Sequence, residues 1–112
     1  MIKQPQCNDG AVFESAIELL EVWGAHRNIA LWVLGESRCS ESEVRIRSLI
    51  IQDIGSSLSM IFENPKNIRG FMNMPNENPY FIGRTPLQVI SDGELASLEK
   101  CAARLKALSL GL

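Results

Sequence analysis

The sequence predicts an all-α fold, a compact bundle of five to six helices. Every apolar pattern along the chain recurs at i, i+3 and i+4, and no run alternates as a strand would. Helix-start signals recur at Ser40, Asn64, Thr85 and Asp92. The chain has 112 residues, 46% of them hydrophobic and only 6% aromatic, so one modest core filled mainly by aliphatic side chains is expected.

Residues 1–9 read as a loose arm. Asn8 or Asp9 can cap a first helix over about 10–23, whose stripe is Val12, Phe13, Ala16, Ile17, Leu20 and Trp23. Gly24 ends it. A second helix over about 25–34 stops at Gly35. Ser40 and Glu43 form a capping box for a long third helix, with Ile46, Leu49, Ile50, Ile54, Leu58 and Ile61 as its expected buried line. Gly55-Ser56-Ser57 is a weak patch within it, where a bend is allowed. Asn64-Pro65 starts a short helix to about Met72, and Thr85-Pro86 starts another. Asp92 is expected to cap the last helix, about 93–108, with a stripe of Leu95, Leu98, Cys101, Ala102, Leu105 and Leu108. Trp32 is assigned to the core or, alternatively, to a homodimer contact.

Composition excludes several functions. The net charge of −2 argues against non-specific nucleic-acid binding, which needs many cations on phosphates. No apolar run is long enough to span a bilayer, and the first residues lack the apolar stretch of a secretory signal, so a cytoplasmic location is expected. Cys7, Cys39 and Cys101 are read as three reduced thiols, Cys101 in the core. His26 is the single histidine and sits between two helices, where it reads as a surface or capping residue. No nucleophile–base arrangement, phosphate-binding glycine loop or metal-ligand spacing is visible. The expectation is a protein that is not an enzyme and holds no metal or cofactor.

The stretch from Asn73 to Gly93 is the least regular. It places Pro75, Pro79, Tyr80, Phe81 and Ile82 together outside any periodic helix. Two readings follow: Phe81 and Ile82 plug the domain's own core, or part of the loop meets a partner protein. Gly83 can take a backbone angle closed to other residues. Arg84 offers a planar five-donor fork for carbonyls or a carboxylate.

Pro75-Asn76, Phe81, Gly83-Arg84-Thr85-Pro86-Leu87 and Gly93, in this order and spacing, resemble the toxin-binding domain of the MbcA/ParS/Xre antitoxins. Upstream, a helix ending in Trp23-Gly24 and one ending in Leu34-Gly35 resemble the family's N-terminal half. The resemblance spans about residues 12–108. It implies a short helix-turn-helix-like half at 10–63 and a toxin-binding half at 64–112. It also implies an antitoxin that neutralises an NAD-consuming toxin of the RES type by covering its active site. Partner contacts are expected from Asn76, Tyr80, Phe81, Gly83 and Arg84 of the loop, from Lys100, Arg104 and Lys106 of the last helix, and from the terminal Leu112. One departure stands out. Only about ten residues separate Gly35 from Ile46, too few for a recognition helix of usual length. The alternative reading is a DNA-binding autorepressor with a shortened helix-turn-helix, using Arg27, Arg38, Arg45 and Arg47 on phosphates.

Overall fold

The computed structural model describes residues 9–111, so the expected arm, Cys7 and Leu112 fall outside the described residues, apart from Asp9 at the first helix's start. The fold is all-α. Among the described residues six helices follow in order: α1 Asp9–Val22, α2 Arg27–Leu34, α3 Glu41–Ile61, α4 Pro65–Met72, α5 Pro86–Ile90 and α6 Leu95–Ser109. Among the described residues there is no strand, only one isolated antiparallel bridge between Asn76 and Arg84. No helix among them is long and apolar enough to cross a membrane.

α3 is the spine. α1 and α6 both pack along it, α2 closes against α1, and α5 closes against α6. One continuous core joins the two halves: Ile17, Leu20 and Trp23 of α1, Val33 and Leu34 of α2, Ile51, Ile54 and Leu58 of α3, and Leu98, Cys101 and Leu105 of α6. Each fully buried aliphatic side chain contributes about 1.5–3 kcal/mol, so this shared cluster sets the stability of both halves together.

The helix starts behave as capping chemistry requires. The Asn64 side chain accepts from the Lys66 amide at 2.8 Å, with Pro65 in the first turn. Thr85 and Gln88 make a complete capping box, each side chain accepting from the other's backbone N–H at 3.0 and 2.8 Å. At Ser40 only half of the expected box forms. Its hydroxyl accepts from the Glu43 amide, while the Glu43 carboxylate turns instead to Arg47. The last helix starts later than expected, at Leu95. Asp92 lies outside it and accepts from the Glu94 amide and the Ser97 hydroxyl.

Two packing expectations are corrected. On α3 the inward line runs through Arg47, Ser48, Ile51, Ile54, Ser57 and Leu58, while Ile46 and Leu49 face outward. α1 and α6 cover a strip rotated from the one predicted, because adjacent aliphatics at 49, 50, 51 and 54 offer two overlapping stripes. Trp32 is not core: it is 46% exposed, with the Arg38 guanidinium 4.0 Å from its ring centroid. The Gly55-Ser56-Ser57 patch stays helical throughout.

Candidate functional site

The segment 73–84 is irregular but tightly hydrogen-bonded. The Asn76 side chain accepts from the Asn78 amide at 2.8 Å, and the Asn78 side chain accepts from the Tyr80 amide at 3.2 Å. These successive Asx turns let side-chain oxygens substitute for helix or sheet partners. The Asn76 amide donates to the Arg84 carbonyl, and the Gly83 amide donates back to the Asn76 carbonyl. Arg84 then locks the bend from within. Its Nε donates to the Phe81 carbonyl at 2.8 Å and its Nη2 to the Tyr80 carbonyl at 2.9 Å. Asn76 and Arg84, expected to meet a partner, thus commit the Asn76 side-chain oxygen and the Arg84 Nε and Nη2 to the loop itself, while the Arg84 side chain stays exposed.

The three large apolar residues of the loop part ways. Phe81 is fully buried and joins the core, so its expected role as a partner contact is corrected. Tyr80 is half-buried, its ring edge-on to Phe81 at 5.0 Å and its hydroxyl donating to the Ser97 carbonyl at 3.4 Å. Burial pushes its phenol above the ordinary tyrosine range. Ile82 points outward, 72% exposed, with a left-handed backbone at φ +51°, followed by Gly83 at φ +84°. The split follows from the bend. Anchoring Phe81 inward while closing the 76–84 bridge forces the next residue over the top of the turn.

Tyr80 also forms one wall of an open groove of about 280 Å³ whose other residues are Lys100, Ala103, Arg104 and Ala107. Lys100 and Arg104 stand one turn apart on α6, with the two alanines beside them as a low floor. The structure thus brings together Tyr80, Lys100 and Arg104 of the expected partner contacts. Lys106 is exposed outside the groove lining, and the chain's end at Leu112 lies outside the described residues.

The four arginines of the alternative reading do not form a free basic face. Arg47 is 4% exposed, and its expected role as a phosphate contact is corrected. Its Nη1 donates to the Val33 carbonyl at 3.0 Å and the Gly93 carbonyl at 2.8 Å, and its Nε and Nη2 both reach Glu43 at 2.9 Å. Arg38 donates to the Trp32 and Gly93 carbonyls at 2.7 and 2.8 Å. Arg27 pairs at the surface with Glu14 and Glu21 at 3.6 and 3.9 Å. Arg45 is exposed and engaged, and lines a second cavity of about 370 Å³ between the start of α1 and the α2–α3 turn. The Arg47 hydrogen bond holds Glu43 below the usual carboxylate range.

Sequence reasoning missed the role of Gly93. Its carbonyl accepts from both Arg38 and Arg47, and a Cβ at its φ of +82° would come within 2.5 Å of the Trp32 ring nitrogen. The signal was present as a glycine after Asp92, but nothing local revealed a tertiary junction. His26 sits at the start of α2, exposed, without a side-chain capping bond. Among the described residues, no three His, Cys, Asp or Glu side chains converge as metal ligands would.

Fold and site together define a small all-helical domain whose braced loop carries one outward apolar tip beside a cationic groove. No protein-family model matches the chain, and no curated protein or solved structure matches it.

Proposed function

We propose that this chain is a cytoplasmic protein-binding inhibitor of the antitoxin kind. Its loop and last helix cover the active site of a partner toxin of the RES type and keep NAD out, while the chain itself does no chemistry. The resemblance of Pro75-Asn76 and Gly83-Arg84-Thr85-Pro86-Leu87 to the MbcA/ParS/Xre antitoxins supports the identity of the partner.

One observation carries the binding part of the reading, and that is Ile82. A β-branched residue in the left-handed region costs about 1–2 kcal/mol, and its exposed side chain forgoes roughly 1.5–3 kcal/mol of burial. Neither cost helps the isolated domain fold. Both make sense where the tip enters an apolar socket on another protein, held out by a loop too well bonded to collapse.

Co-expression with a RES-type toxin, taken from the neighbouring reading frame where that frame encodes one, tests this. Growth should be restored, and the two chains should elute as one complex. Ile82→Asn should abolish both effects while leaving the domain folded. Absence of rescue and of a complex with the wild-type chain would overturn the reading.

A further inference from the structure

The groove against α6 has a chemistry of its own. Lys100 and Arg104 repel each other across one helical turn, a like-charge pair that costs a few tenths of a kcal/mol. Positions 96, 97, 101, 103, 107 and 108, the helical neighbours of these two, hold no acidic residue. Among the described residues neither cation makes an ion pair or a hydrogen bond. The contrast with Arg27, Arg38 and Arg47 is sharp, since each of those is satisfied within the chain. Ala103 and Ala107 keep the floor low enough for a backbone to approach, and the Tyr80 ring supplies an apolar wall with a rigid edge. Tyrosine and arginine are also among the side chains enriched where binding energy concentrates at protein interfaces.

We infer that this groove receives an acidic segment of the partner polypeptide. Its carboxylates would pair with Lys100 and Arg104, and its backbone would lie along Ala103 and Ala107 against Tyr80. The inference deepens the protein-binding reading above and rests on it, adding the charge and shape of what binds. Electrostatic pairing at an open groove acts chiefly on association rate, so the contact weakens as salt rises. A groove this open favours a chain over an enclosed small molecule.

The test is an NMR titration of the full isotope-labelled chain. The probe is a soluble helical peptide of Glu, Ala and Leu with glutamates one turn apart; its Gln counterpart and inorganic phosphate are the comparisons. The expected result is saturable shifts confined to the amides of Tyr80 and residues 97–107, about tenfold weaker with the Gln peptide. The single variants Lys100→Gln and Arg104→Gln should each reduce the response, and Ala107→Glu should remove it, with Tm reported for all three to confirm folding. Equal response to both peptides, shifts centred elsewhere, no saturable shift, or a stronger response to phosphate would each overturn the inference. A positive titration without growth rescue would remove the toxin reading and leave the groove standing. Rescue with a negative titration would remove the groove alone.

Discussion

Arg47 shows how one side chain can serve three elements. The last carbonyls of a helix lack intrahelical partners, and Arg47 satisfies that of Val33 near the end of α2 while also holding Gly93. Removing it as Arg47→Met should strand the Val33 carbonyl and cost about 2 kcal/mol, read as a lower urea midpoint. Gly93→Ala should cost a similar amount, about 2 kcal/mol, because strain and the Trp32 clash add. The same node sets a pH response. Glu43 titrates below 4.5 in the fold, so its contribution is present above that pH and is lost as pH falls through the depressed value. Glu43→Gln should flatten the acid limb of Tm against pH. Cys101 behaves oppositely, because burial pushes its thiol up to about 12 from 9.0. The neutral thiol leaves stability unchanged below pH 9, and stability falls as pH rises from 9 toward 12, because the unfolded chain ionises first. Peptide mapping after alkylation of the native protein at mildly alkaline pH should find Cys101 unlabelled.

Among the elements, the 73–84 loop departs furthest from regular structure yet pairs most of its amides locally. Arg84→Lys keeps the charge but loses the fork that reaches two carbonyls. Amide exchange at Ile82 and Gly83 should then quicken by about tenfold or more, with helix α3 unaffected. Helix starts were legible because their signals are local: Asn64-Pro65 and Thr85-Pro86 act within one turn. The inward face of α3 was not, because aliphatics crowd both overlapping stripes and the neighbours decide between them. Trp32 escaped for a related reason. The run Ile29-Ala30-Leu31-Trp32-Val33-Leu34 is apolar all round, so periodicity alone names no outer face. Phe81 and Ile82 are adjacent and alike in hydropathy. Only the turn geometry sends one inward and the other out.

At the scale of the whole molecule, α3 and α6 bind the two halves into one cooperative unit. A fragment of residues 64–112 loses the α3 face that covers Leu98, Cys101 and Leu105, and it should show little helix by circular dichroism. The helical class, the number of helices and most of their limits were legible from pattern alone. The tertiary junctions at Gly93, Arg38 and Arg47 were not, because residues 46 and 55 positions apart meet there. The left-handed Ile82 carries a consequence for anyone improving this protein. Asparagine tolerates that backbone better and is more at home in water, so Ile82→Asn should add about 1 kcal/mol of stability, read as a higher urea midpoint. A library sorted only for heat resistance would therefore drift toward asparagine there, and its hardiest survivors would carry no apolar tip on the bend.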